Sequence, residues 1–315
     1  MDYKLIRSAY LGSKDYMAPL EDELDGIIAV HDQLVLSSSV SVKSLWSLNT
    51  WHNPKILTIN SINDGAKKLK NIQRNWCLYS YQFHRRAKLI QEKLPYVSAK
   101  PLSFPCNLPT SPIGSWTLIS ENLILGSSNC SSLFKNGEMI FEEDKEGPPS
   151  RAYLKLYESL TKIEKFPKPG DFCIDAGGSP GGWTWVLQKL GAQVISIDRA
   201  TLDPKIASLP NVKYYKGDVF SIKPSDYDKV DWLFSDVICF PEKLFDWISL
   251  WFESGKCKNF ICTIKFQGAP DYNSAKKFLE INGSQVMHLY NNKHELTFIH
   301  IDKNRRNKSQ DKLFF

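Results

Sequence analysis

The densest set of chemically useful residues lies at positions 175 to 183, Asp-Ala-Gly-Gly-Ser-Pro-Gly-Gly-Trp. Glycines let a backbone turn sharply and approach a ligand where a Cβ would stand in the way. The spacing is not G-x-G-x-x-G, because Ser179 occupies a position where glycine would be needed. It is not a Walker loop either, since no Gly-Lys-Ser/Thr follows, so a dinucleotide or a nucleoside triphosphate is disfavoured. Asp198 comes 23 residues after Asp175, close to the ~20-residue offset at which an acid grips ribose hydroxyls in doubly wound folds. Asp218, in Lys216-Gly217-Asp218, is a third acid at a similar interval. Farther on, Asp236 and Lys265 each close an apolar run. A carboxylate beside a partly buried amine is a pair that can move a proton, because burial lowers the pKa of a lysine.

These residues need a frame that brings them to one edge. After residue 150 the chain alternates short apolar runs (172–176, 193–197, 212–215, 232–234 and 259–264) with helical or turn segments. Runs that are apolar at nearly every position read as strands buried on both faces, as in a parallel sheet. Segments 285–290 and 296–301 read as a closing hairpin around Asn291-Asn292. Ser150 is expected to cap a helix carrying Leu154, Tyr157 and Leu160 at three-residue steps. In an open α/β sheet the carboxyl ends of the strands line the ligand crevice, so Asp175, Asp198, Asp218, Asp236 and Lys265 are all expected there.

The 315 residues suggest two domains. We place the boundary near 146, at Glu143-Asp-Lys-Glu-Gly-Pro-Pro149, giving domains 1–145 and 146–315. The first half reads as mixed helix and strand. Its segment 66–94 carries eight Lys or Arg and one Glu, interleaved with Trp76, Tyr79, Tyr81 and Phe83. Basic groups against phosphates with aromatics stacking on bases is one reading; a solvated helix face with core aromatics is the other. Residues 95–115 hold five prolines and read as a connector. The net charge of +6 is compatible with a polyanionic partner. No apolar run reaches the ~18 residues of a membrane span, and no secretory signal opens the chain. Seven scattered cysteines without C-x-x-C spacing suit a reducing compartment and argue against a zinc site. A cytoplasmic protein without metal or membrane attachment is the expectation.

Taken in order, Ser150-Arg-Ala-Tyr-Leu-Lys155-Leu, the glycine loop ending in Pro180-Gly-Gly-Trp183, Ser235-Asp236, Ile264-Lys265 and His294-Glu295-Leu-Thr297 resemble the FtsJ-type ribose 2′-O-methyltransferases over residues 148 to 302. That resemblance implies a Rossmann-like S-adenosylmethionine-dependent methyltransferase domain: a doubly wound, mostly parallel sheet with an antiparallel last strand. It is preceded by an α+β N-terminal domain, to which residues 115–134 lend a THUMP-like, RNA-recognising character. It implies a catalytic tetrad of Lys155, Asp236, Lys265 and Glu295. S-adenosyl-L-methionine would be held by Ser150, Asp175, Gly177, Ser179, Pro180, Gly181, Gly182, Trp183, Asp198, Asp218 and Asp236, with Asp218 on the adenine amino group. The implied reaction is methylation of a ribose, at a cytidine, in bacterial large-subunit (23S) ribosomal RNA or a precursor particle. Lys265 would be the base, its pKa depressed from ~10.4 by burial and by the charge of Lys155. Asp236 would position Lys265, and Glu295 would orient one of the lysines. Transfer RNA or a messenger cap as substrate, or a catalytically silent RNA-binding assembly factor, are the alternatives.

Overall fold

A computed structural model describes residues 3–267 and 272–302. The basic tail (Lys303, Arg305, Arg306, Lys308, Lys312) and Gly268 lie outside the described residues. The chain divides into two compact units. One comprises Met1–Glu142 with Met287–Asn291, and the other Glu143–Val286 with the chain from Asn292 onward.

The first unit is α+β. Strands β1 (Ser8–Gly12), β2 (Ile27–His31), β3 (Leu34–Ser37), β4 (Ser47–His52) and β9 (Asn129–Cys130) form a sheet in the order β2-β3-β1-β4-β9. A second sheet, β5-β8-β7-β6, is built from β5 (Lys55–Thr58), β6 (Trp76–Leu78), β7 (Gly114–Ser120) and β8 (Leu123–Ser127). Helix α1 (Met17–Asp22) follows β1, and α2 (Ile62–Ile72) and α3 (His84–Gln91) pack on the second sheet. Ser61 caps α2 by accepting from the Asp64 N–H, and Gly65, Ala66 and Leu69 are the buried face of that helix. They meet Trp76, Ala87, Ile90, Trp116 and Ile124 in one apolar cluster.

That cluster separates the two readings of segment 66–94. Trp76 is 1% exposed and Tyr79 is 8% exposed, and Tyr81 packs against the neighbouring cluster of Ala9, Leu34 and Trp51. Burial of these rings removes ~1.5–3 kcal/mol worth of apolar surface each from water, so they are core. Of the four aromatics only Phe83 is exposed. The interleaved stacking expectation therefore fails, while the basic residues do lie on the surface.

The second unit holds one seven-stranded sheet: β10 (Phe172–Ala176), β11 (Gln193–Asp198), β12 (Val212–Lys216), β13 (Trp232–Ser235), β14 (Asn259–Lys265), β15 (Ser284–Met287) and β16 (Glu295–Ile301). The order is β12-β11-β10-β13-β14-β16-β15. Pairings from β12 through β14 are parallel, and β16 runs antiparallel to β14. This is the Rossmann-like arrangement expected, and the apolar runs match the strands closely. The order reverses between β10 and β13, the topological switch point where ligands of open α/β sheets bind. Helices α4 (Tyr153–Ile163), α5 (Gly182–Lys189), α6 (Pro204–Ala207), α7 (Pro241–Glu253) and α8 (Tyr272–Lys277) complete the unit. Helix α4 is buried over nearly its whole girth, Lys155 and Glu158 included. Its N-cap is Ala152, without a side-chain cap bond. The expectation that Ser150 caps this helix is thus corrected, because a turn over residues 151–152 intervenes and leaves the Ser150 hydroxyl buried without a partner.

Candidate active site

Four charged side chains from three strand ends and one helix converge. Lys155, on the first turn of α4, donates from Nζ to both carboxylate oxygens of Asp236 at 2.9 Å. Lys265, the last residue of β14, lies with Nζ 2.9 Å from Asp236 Oδ1 and also donates to the Asp236 backbone carbonyl. Glu295 Oε1 is 3.1 Å from Lys155 Nζ. The antiparallel register brings Glu295 beside the end of β14. Lys265 stands directly opposite Glu295, so both side chains leave the same face of the sheet. Asp236 follows β13, whose Ser235 pairs in parallel register with Cys262.

Two ammonium groups and two carboxylates balance to zero, which is how buried charges avoid a desolvation cost of several kcal/mol per ion. Burial pulls the Lys155 ammonium down, but Asp236 and Glu295 outweigh it and leave its pKa above the ordinary lysine value. Burial likewise pushes the Asp236 carboxyl up, and the charges of Lys155 and Lys265 overcome this, holding it below the usual range. The expectation that the charge of Lys155 acts openly on Lys265 is modified accordingly. A carboxylate in contact with both amines stands in that arrangement, and Lys155 is compensated by a second one.

Sequence reasoning missed Thr263. Its Oγ1 donates to Asp236 Oδ1 at 2.7 Å, making Oδ1 the shared acceptor of three donors. The signal was available: residues 263 and 265 of one strand point to the same face. On the opposite strand, the Lys293 N–H donates to Glu295 Oε1 at 3.2 Å.

The glycine loop lies at the start of α5. Gly177 (φ +83°) and Gly181 (φ +123°) hold backbone conformations that L side chains rarely adopt. A Cβ on Gly177 would come within 2.8 Å of the Val237 backbone, and one on Gly182 within 2.8 Å of Ser150 Oγ. The loop is thus a cradle that side chains would fill. Asp198 shapes it: Oδ2 accepts from the Ser179 N–H at 3.0 Å and Oδ1 from the Ala200 N–H at 2.8 Å, leaving each oxygen further acceptor capacity. Ser179 spends its hydroxyl on the Thr201 carbonyl, and Pro180 is the exposed residue of the loop. Trp183 is buried and donates from Nε1 to the Ala152 carbonyl at 2.9 Å, tying α5 to the turn before α4.

Asp175 is fully buried. Its Oδ2 accepts from Thr184 Oγ1 at 2.6 Å, whereas Oδ1 has no partner. Burial pushes its pKa up to about 7. Asp218 caps the 3₁₀ turn after β12 through the Phe220 N–H and pairs with Arg199. The Phe220 N–H and the Arg199 charge hold its carboxyl below the usual range. S-adenosylmethionine fits these residues. The unpartnered buried oxygens of Ser150 and Asp175 and the two acceptor oxygens of Asp198 suit a ligand with an ammonium group and a ribose diol. Among the described residues no three His, Cys, Asp or Glu side chains cluster as a metal site would require, and no helix is long and apolar enough to cross a membrane.

Comparison with known proteins bears on the same residues. The FtsJ-like methyltransferase family model matches residues 148–301. Ribosomal RNA large subunit methyltransferase M of Halorhodospira halophila is 35% identical over 120 residues, covering 37% of this chain and 35% of that protein. The protein of the same name from Xanthomonas oryzae pv. oryzae is 30% identical over 165 residues, covering 48% of this chain and 47% of that protein. The chain therefore spans half or less of the length of these curated relatives. Among solved structures, TrmN from Thermus thermophilus aligns over 93% of this chain and 98% of its own at 12% identity, with a TM-score of 0.38. The residues that the FtsJ-like methyltransferase model matches enclose the glycine loop and all four converging charges.

Proposed function

We propose that the chain methylates a ribose 2′-hydroxyl in RNA, in large-subunit ribosomal RNA and at a cytidine. The observation that carries this reading is the neutral cluster of two amines and two carboxylates beside a cradle suited to a methyl donor. The names of the curated relatives support ribosomal RNA as the substrate.

S-adenosylmethionine, when bound, supplies a methyl group on a positively charged sulfur that departs as a neutral thioether. The residues of the chain must then hold the acceptor in line and take its proton, since a ribose hydroxyl is a poor nucleophile. Lys155 contacts two carboxylates and serves as the fixed ammonium, a donor for the hydroxyl oxygen or an adjoining phosphate. Lys265 contacts one; having first released its own proton to solvent, it takes the proton from the hydroxyl as the methyl group is transferred and returns it to solvent afterwards. Asp236, steadied by Thr263, holds both amines in register, and Glu295 holds Lys155. Ser150, Asp175, the backbone of residues 177–182 and Asp198 hold the donor, with Trp183 bracing the loop and Asp218 at the end of the next strand.

The test is incubation with unmodified ribosomal RNA and donor labelled in the methyl group, followed by alkaline hydrolysis. Label in alkali-resistant dinucleotides containing cytidine is the expected result. Label on a base, or no transfer to any RNA, would overturn the proposal.

A further inference from the structure

The basic run of segment 66–94 is not absorbed by the catalytic cluster, and the fold gives it a definite shape. Helix α2 buries Gly65, Ala66 and Leu69 and turns Lys67, Lys70 and Asn71 outward. Lys93, just past the end of α3, joins them. Together with Asn63 and the small side chain of Ala66, these residues line a groove of about 400 Å³ within the first unit.

The lysines of this groove differ from their neighbour Lys68. Lys68 is tied down, donating to the Thr58 carbonyl and pairing with Asp64 at 3.2 Å. Asp64 is thereby hydrogen-bonded and ion-paired with Lys68, and it also accepts from the Asn60 N–H; the charge of Lys67 acts on it from farther away, without an ion pair. Glu92, exposed beside Lys93, makes no ion pair among the described residues. Lys67, Lys70 and Lys93 make none either. Like charges one helical turn apart repel and destabilise a helix, so the arrangement lacks a folding rationale. The chemistry it offers is ammonium donors flanked by two carboxamides, across a recess with a small-residue floor. Such a surface holds consecutive phosphates, which need charge and N–H donors and no base-specific edge.

We propose that the groove between α2 and Lys93 binds the phosphodiester backbone of RNA, as a sequence-independent site remote in sequence from the catalytic residues. This rests on the reading of RNA as substrate, which it deepens by naming where the polyanion is gripped. Because Trp76, Tyr79 and Tyr81 are core and Phe83 does not line the groove, the site contributes affinity through charge and counterion release, without base stacking.

The test compares two variants of the full chain with equal net charge. One is K67Q/K70Q/K93Q. The other is K14Q/K55Q/K100Q, which removes three exposed lysines of the same unit outside the groove. Binding of a labelled single-stranded RNA is measured between about 50 and 200 mM KCl. Each lost phosphate contact flattens the slope of log K against log salt by ~0.7 for single strands, so the groove variant should lose about 2 from the slope and about 100-fold in affinity near 0.1 M salt. The control variant should keep both to within a few-fold. The groove variant should also melt at the same temperature as the unaltered chain or higher, because repulsion has been relieved. Equal weakening by both variants would overturn the proposal, as would a groove variant that loses binding to anionic lipid vesicles and not to RNA. Failure of the unaltered chain to bind any RNA would overturn the RNA reading itself, and this site with it.

Discussion

Lysine plays opposite parts in the two units. Lys155 and Lys265 are mostly buried, clamped to carboxylates and held in one geometry. Lys67, Lys70 and Lys93 are exposed, unpaired among the described residues and grouped around a recess. The first pair sits where the dielectric is low, and its charges act over short distances with little screening. The second group acts through an ion atmosphere and weakens with salt. On the proposed reading, one residue type provides proton chemistry in one place and general affinity in another, and neighbouring carboxylates decide which.

The largest effect should come from breaking the buried pair. Lys265→Ala should lower the rate of methyl transfer by about 10³-fold, within the range for losing a general base, with donor affinity by calorimetry unchanged. Full activity in that variant would remove Lys265 from the reaction. Lys155→Met should also abolish transfer and, unlike Lys265→Ala, should cost about 3 kcal/mol of stability in urea unfolding, because it takes from the buried Glu295 carboxylate the amine it pairs with, whereas Lys265→Ala leaves both carboxylates in contact with Lys155. Next comes the donor cradle. Asp198→Ala should weaken donor binding about 10- to 100-fold, the scale of losing hydrogen bonds to a charged group, without altering the salt dependence of RNA binding.

A third test uses pH. The folded pKa of Asp175 is raised to about 7 by burial, so between ~4 and 7 the folded state holds a proton that the unfolded state releases. Stability should therefore fall as pH rises through that window, and Asp175→Asn should flatten the fall. Asp236 is depressed and Lys155 raised. Their contributions are lost only below the ordinary carboxylate range and above the ordinary lysine range, so neither confuses the measurement. An unchanged pH profile in the Asp175 variant would contradict the assignment. The smallest effect belongs to the exposed lysines: Lys67→Gln alone should change stability by less than about 0.5 kcal/mol.

The second unit was readable from sequence because its strands are short, apolar on both faces and each followed by a chemically distinct residue. Asp175, Asp198, Asp236 and Lys265 mark strand ends in chain order, and the sheet places them along one edge. The tetrad was legible through Lys155 and Glu295 only by resemblance, since a helix residue and an antiparallel strand residue come together through tertiary packing. Thr263 was missed because a threonine within a strand is ordinary. Ser150 was misread as a cap because a polar residue before a helical pattern satisfies the local rule, while two further turn residues fit before the first helical turn.

The first unit resisted for a different reason. Its sheets interleave along the chain: β4 pairs with β9, and β6 pairs in parallel with β7 across the proline-rich connector. The basic and aromatic residues of segment 66–94 are spread over two helices, a strand and the turns between and after them, so no single period describes them. Only burial distinguishes Trp76 from Lys67.

The close approach of Gly177 to Val237 joins the two halves of the reaction centre mechanically. Val237 is the immediate neighbour of Asp236, and a methyl group added at Gly177 would press on its backbone at 2.8 Å. On the proposed reading the donor loop and the proton-handling cluster share this contact, so reshaping one would press on the other. Evolution toward a different methyl acceptor would then have to proceed through the remaining walls of the site, leaving this contact untouched.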